Sequence, residues 1–237
     1  MAGKKNQNQS EAERVRTAYG KRQRENVSER YSQFLLCNLL FTQERDLALM
    51  DLLRSAGVHT FAGSRILDVG CGGGGLLRHL LEFEAEPRRM FGIDLLIERI
   101  HEAHDLSPNF QFLCGSASQL PFPNATFDFV FQFTMFTSIL RKEIKQAAAN
   151  EILRVLRPKG IFIWYDFSYD NPRNPDVRGI GRREMFRLFQ GCRIRCRRIT
   201  LAPPLARLVA RGSAFLYRLL SAPKVLCTHY LCLIEKS

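Results

Sequence analysis

At 237 residues with 46% hydrophobic side chains, the chain is long enough for one domain with a full core. No run of about 18 uninterrupted apolar residues occurs, so no membrane-spanning helix is expected. The polar start MAGKKNQNQSEAERVR lacks the apolar stretch of a signal peptide. The net charge of +12 is unevenly placed: residues 173–218 hold twelve Arg against two acids, Asp176 and Glu184. Such a segment suits an anionic partner (phosphate-bearing substrate, acidic lipid surface or nucleic acid) or is a solvated positive face. The seven cysteines are odd in number, scattered and free of C-x-x-C pairs. They point to reduced thiols in a cytoplasmic compartment and away from zinc.

In chain order, residues 1–12 are polar and predicted to be a disordered tail. Residues 13–60 form a helical cap, with helices predicted over Glu13–Arg24 and Ser32–Ala56. The first strand, Arg65–Val69, runs into Gly70-Cys71-Gly72-Gly73-Gly74-Gly75, and a helix follows to about Phe83. This is a buried strand, a tight turn and a helix start, the first βα unit of an open parallel sheet. Glycine lets a ligand approach the backbone, and the helix N-terminus presents free N–H groups.

The glycines satisfy both G-x-G-x-x-G and G-x-G-x-G spacings. Asp68 separates the two, because a carboxylate at the strand end engages an ammonium-bearing ligand and repels a pyrophosphate. A second strand, Met90–Ile93, ends at Asp94, where an acid can accept hydrogen bonds from both hydroxyls of a ribose. The next helix, Leu96–His104, carries His101 and His104 at i, i+3, with no third metal ligand evident.

A third strand is predicted over Phe110–Cys114 and a fourth over Phe127–Phe133, with Gln132 and Phe133 at the carboxyl end beside the crevice. An amphipathic helix, Ile144–Leu156, and the turn Arg157-Pro158-Lys159-Gly160 lead to a fifth strand, Ile161–Tyr165. Asp166 lies just past it. The proline-stiffened loop that follows presents Asn171, Arg173 and Asn174, which suit hydroxyl- or phosphate-bearing acceptors or form a plain connector. A helix over Arg183–Phe189 and strands over Cys192–Leu201 and Thr228–Ile234 complete the pattern. Between those strands, residues 202–227 form a basic amphipathic insertion, fit to lie on a membrane surface, to cover a lipid-like acceptor or to pack back as a lid.

Four segments, ILDVGCGGGG, MFGIDLL, LPFPNATFDFVFQF and EILRVLRPKGIFIWYDF, resemble the class I S-adenosylmethionine (SAM) methyltransferases over about residues 64–168. The nearest branch in pattern includes the ubiquinone/menaquinone C-methyltransferases. The resemblance implies an α/β, Rossmann-like sheet of seven strands, mostly parallel with an antiparallel last strand, and helices on both faces. It assigns residues 61–237 to the methyltransferase domain and names SAM as cofactor.

On the matching positions, Asp68, Gly70, Cys71, Gly72 and Gly74 surround the methionine end. Asp94 and Leu95 take the ribose, Ser116 and Ala117 the adenine side, and Gln132 and Phe133 border the reacting methyl. The family commonly has Asp where Ser116 stands, so a hydroxyl or the backbone must serve there. The resemblance also places the N-terminal helices at the cofactor mouth, making Tyr19 and Tyr31 candidates for covering cofactor or acceptor. Asp166 and His229 are base candidates by position.

The acceptor implied is a small molecule: a glycan, a lipid-linked group or a secondary metabolite, with peripheral membrane contact. A ubiquinone/menaquinone-type C-methyltransferase is the near alternative. An RNA methyltransferase would explain the arginines, but the chain after the fourth strand lacks an N/D-P-P-Y/F motif, so nucleic acid is disfavoured. A non-catalytic, membrane-associated interaction protein on the same scaffold is the remaining alternative.

Overall fold

The computed structural model describes residues 11–21, 32–172, 174–210 and 213–236. Helix α1 covers residues 11–21 and α2 covers Leu36–Ser55. The alternating core then runs β1 Ile66–Val69, α3 Gly75–Leu80, β2 Met90–Asp94, α4 Ile97–Leu106, β3 Gln111–Cys114 and β4 Phe127–Phe133. It continues through α5 Lys142–Val155, β5 Leu156–Phe167, α6 Arg182–Leu188, β6 Arg193–Leu201, α7 Pro203–Val209, α8 Ala214–Ser221 and β7 Cys227–Glu235. On the described residues the predicted elements match these to within a few residues, except that β5 begins earlier and residues 11 and 12, expected in the tail, are already helical. Residues 1–10 of the expected tail and 22–24 of the expected first helix lie outside the described residues. Leu156 already pairs with Phe127 before the Pro158–Gly160 stretch interrupts the register.

The seven strands lie in the order β3-β2-β1-β4-β5-β7-β6. β1 through β5 pair in parallel, and β7 runs antiparallel between β5 and β6. From β1 the chain winds outward through β2 and β3, then returns to β4 and β5 on the other side. That reversal opens a crevice beyond the carboxyl ends of β1 and β4, where ligands bind in such sheets.

Strand alternation divides the core. Leu67, Val69, Val130, Phe162 and Trp164 face α5 and α6, meeting Ala148, Ile152, Met185 and Leu188. Ile66, Phe129, Phe131, Ile163 and Leu231 face the opposite side, against Leu49, Leu52 and Leu53 of α2 and Leu77 and Leu80 of α3. Burying a Leu, Phe or Ile side chain is worth roughly 1.5–3 kcal/mol, so packing on both faces stabilises the sheet. A third cluster joins Cys37 and Leu40 of α2 to Leu201, Ala206, Ala210 and Tyr217. The insertion after β6 is therefore two short helices seated on the start of α2. Ser213 caps α8 by accepting from the amide of Leu216 at 3.3 Å.

The expectation of uniformly reduced cysteines is corrected. Antiparallel register sets Cys196 of β6 opposite Cys232 of β7, with Cα atoms 4.1 Å apart, and the two form a disulfide. Their separation of 36 residues conceals this in the sequence, because only the β6–β7 pairing brings them together. Among the described residues no helix is long and apolar enough to cross a membrane.

Candidate active site at the carboxyl edge of the sheet

The glycine loop is held in backbone that glycine adopts at low cost. Gly70, Gly72 and Gly74 have φ of +80°, +51° and +74°. Their lack of a Cβ is also used for space: one on Gly70 would meet Met135 at 2.7 Å, and one on Gly74 would meet Phe112 at 2.8 Å. The amides of Gly70 and Cys71 both donate to the carbonyl of Ile93, at 2.7 and 3.1 Å, clamping the loop to β2. Cys71 is buried, and burial pushes its thiol well above the usual range, so it serves as a neutral turn residue.

Two carboxyls flank the loop. Asp68 is 2% exposed, and no donor or cation among the described residues pairs with it. Burial first, and the nearby Asp94 second, push its pKa up to about 8. Asp94 accepts from the amides of Gly72 and Leu96, each at 2.9 Å. Burial still raises its pKa, against the pull of those two amides and of Arg99. Arg99 reaches back from α4 to within 3.0 Å of the position of a Gly72 Cβ. A buried acidic pair with so little compensation favours a ligand that brings positive charge.

The rest of the predicted cofactor rim, Leu95, Ser116 and Ala117, is half-buried. The Ser116 hydroxyl lies 2.9 Å from that of Ser118 and accepts from the Ser118 amide, so it is engaged within its own turn. Ala117 packs into the α5-side core, and the Leu95 carbonyl faces the Cys114 thiol at 3.7 Å.

At the end of β4, Gln132 is fully buried. Its Oε1 accepts from the amide of Met135 at 2.9 Å, while its Nε2 approaches the Asp166 carboxyl without full hydrogen-bond geometry. Asp166 is 1% exposed. It accepts from the Thr137 hydroxyl at 2.7 Å, the Thr137 amide at 3.2 Å and the Phe167 amide at 3.1 Å. Burial pushes its pKa up to about 7, with the Thr137 contacts opposing. These bonds make Asp166 an anchor for the segment after β4.

On the other face of the sheet, Phe133 meets Tyr165 edge-on at 5.3 Å, and His229 stacks on Tyr165 at 4.9 Å. The Arg45 guanidinium, from α2, lies 4.9 Å over Phe133 and 5.7 Å over Tyr165. Burial and the nearby Arg45 hold His229 down to about 4, so it is a neutral imidazole at pH 7. Its Nδ1 lies 3.0 Å from the Thr228 hydroxyl. The result is a partly covered aromatic shelf.

Helix α1 closes a third side. The Tyr19 hydroxyl lies 3.0 Å from that of Ser138, the Leu140 amide donates to Glu11 at 2.7 Å, and Arg14 donates to the Ser138 and Asp176 carbonyls. Asn171 and Asn174 line a cleft of about 390 Å³ with Leu140, Asp170 and Arg178. The Asn174 side chain accepts from the Asp176 amide at 3.2 Å. The structure thus gathers Tyr19, Asn171 and Asn174 on one side of the β4 and β5 ends and His229 on the other. Tyr31 and Arg173 lie outside the described residues.

Sequence reasoning missed Met135, Phe112 and Arg99 around the glycines, Thr137 on Asp166, Arg45 over the shelf, and Glu44 on Thr200 and Tyr217. None belongs to a motif. Only Arg99 had a readable signal, as a cation one turn into the helix that follows the second acid.

A doubly wound sheet with an antiparallel β7, and a glycine loop held between acids ending β1 and β2, define the class I methyltransferase architecture. Residues 66–160 match the family model described as a methyltransferase domain. Relatives include a sterol 24-C-methyltransferase of Aspergillus fumigatus, 34% identical over 126 residues, covering 50% of this chain and 32% of the relative. Another is a fatty-acid O-methyltransferase of Mycolicibacterium smegmatis, 34% identical over 115 residues, covering 46% and 40%. The chain therefore spans well under half the length of either. These two do not single out the ubiquinone/menaquinone branch. Among solved structures, the YcgJ protein of Bacillus subtilis superimposes with a TM-score of 0.60 at 18% identity, covering 81% of this chain and 98% of that one. At that identity the likeness shows the fold.

Proposed function

We propose that this chain transfers the methyl group of SAM to a small, lipid-like acceptor at the carboxyl edge of its sheet. The observation that carries the cofactor is the buried Asp68–Asp94 pair around a left-handed glycine loop. SAM fits that chemistry: it brings an ammonium, a sulfonium and two ribose hydroxyls. When bound it supplies an electrophilic methyl group for in-line displacement. Asp68 and the glycine loop would hold the amino-acid end, and Asp94 the ribose.

The acceptor class is supported by the shelf of Phe133, Tyr165 and His229 under Arg45, which offers aromatic surface with one cation. The sterol and fatty-acid acceptors named for the two relatives point the same way. The chain's residues bind, orient and exclude water. His229, uncharged at neutral pH, is the candidate to accept a proton if the acceptor is a hydroxyl, and Asp166 acts through the segment it anchors.

Titration with S-adenosylhomocysteine tests the cofactor, and failure to bind it by folded protein would refute that part. Incubation with methyl-labelled SAM and a fractionated cell extract tests the acceptor. Label is expected in the organic phase, and label confined to the aqueous phase overturns the lipid-like class.

A further inference from the structure

We propose that the outward face of α2, α7 and α8 docks on an anionic lipid bilayer. Helix α8, Ala214–Ser221, is amphipathic, yet the residues it buries are Tyr217 and Ser221. Its apolar stripe, the side a helix normally turns to the core, faces outward instead. Here Phe215 is 75% exposed and Leu219 56%, beside Leu208 of α7 at 68%. Phe34, just before α2, and Leu39, in its first turn, are also exposed. All three segments pack on one small cluster containing Cys37, Leu40, Ala206 and Tyr217, so their uncovered sides surround a single protrusion.

Charge decides the occupant. Residues 201–227 contain no Asp or Glu, and neither do residues 32–43. Arg207, Arg218 and Lys224 are exposed there, and among the described residues neither Arg207 nor Arg218 has a salt-bridge partner. Glu44 beneath the face is taken up by Lys224, Tyr217 and Thr200, so a second copy of the chain would bring Arg207 and Arg218 against themselves with no acid in these segments to pair them. An acidic bilayer surface takes the aromatic and aliphatic side chains into its acyl boundary and the cations into its headgroups. The face is tied to the site: Tyr217 donates to Glu44 at 2.8 Å, and the next residue, Arg45, covers the aromatic shelf. Docking here would hold the acceptor side of the crevice beside the bilayer.

The test is co-sedimentation of the full chain with vesicles of phosphatidylcholine alone or mixed with phosphatidylglycerol. Binding to the mixed vesicles is expected to be about tenfold tighter or more, at a few-fold per cation, and to weaken as salt rises. Phe215→Ser with Leu219→Ser should weaken it about tenfold, and Arg207→Glu with Arg218→Glu should remove the preference for the anionic lipid. Unchanged circular dichroism and S-adenosylhomocysteine binding establish that the variants are folded. Absence of vesicle binding, or equal binding to both vesicle types, overturns the proposal. So does a dimer in light scattering that the Phe215 and Leu219 substitutions dissociate.

Discussion

The amide of Gly72 donates to Oδ2 of Asp94 at 2.9 Å. The carboxylate proposed for a ribose therefore also fixes the glycine turn proposed for the amino-acid end of the cofactor. With its other oxygen on the Leu96 amide, Asp94 holds both loops that border the crevice before any ligand arrives.

The first prediction follows from that double attachment. Asp94→Ala should weaken S-adenosylhomocysteine binding at least about tenfold, roughly 1.4 kcal/mol, by calorimetric titration. Asp94→Asn keeps an acceptor oxygen and should lose less. Equal affinity in wild type and Asp94→Ala would remove Asp94 from the cofactor site.

Asp68 should give up a proton when a cationic ligand binds. With its pKa pushed up to about 8 by burial and Asp94, it is mostly neutral at pH 7. A nearby ammonium or sulfonium favours the charged form. Titrations at pH 7 in buffers of different ionisation enthalpy should therefore give different apparent enthalpies, and Asp68→Asn should reduce that difference. Identical buffer dependence in wild type and variant would contradict this role.

Stability should fall as pH rises from about 6.5 to about 8. Asp68 and Asp166 have folded-state pKa values of about 8 and about 7, above the ordinary 3.8. The unfolded chain then binds fewer protons than the folded one across this range, so raising the pH favours unfolding. His229, held down to about 4 from 6.5, works in the opposite direction, and only below about pH 6.5. Thermal melts of Asp166→Asn should show a shallower decline above pH 6.5. A wild-type midpoint that climbs through this window would refute the assignment.

The Cys196–Cys232 disulfide should be measurable by chemistry alone. Thiol titration of the unreduced, denatured chain should find five free cysteines. Reduction, or Cys232→Ala, should lower the unfolding free energy by about 2–4 kcal/mol. Seven free thiols in carefully unreduced protein would show the strands held by pairing alone.

Much of this architecture was legible because local pattern and topology agree. Apolar runs ending at Asp68 and Asp94, punctuated by glycine, specify strand ends wherever they occur. The same logic placed β4 and β7, while the antiparallel direction of β7 came from the resemblance to the methyltransferases. What stayed hidden depends on register or on reach. Cys196 and Cys232 meet only once β6 pairs with β7. Thr137 finds Asp166 through a turn after β4, and Arg45 reaches the shelf from a helix that precedes the whole sheet. Long polar side chains crossing between elements leave no periodic trace in the chain.

One oxygen of Glu44 accepts both the Thr200 amide, at 3.1 Å, and the Tyr217 hydroxyl, at 2.8 Å. A single carboxylate thus rivets together α2, the end of β6 and the excursion that follows it. Since Arg45 is its immediate neighbour, the aromatic floor and the outer helices share one fastening. A shift of one would displace the other, and exchange of the α7–α8 excursion for another would have to carry a hydroxyl to the same point.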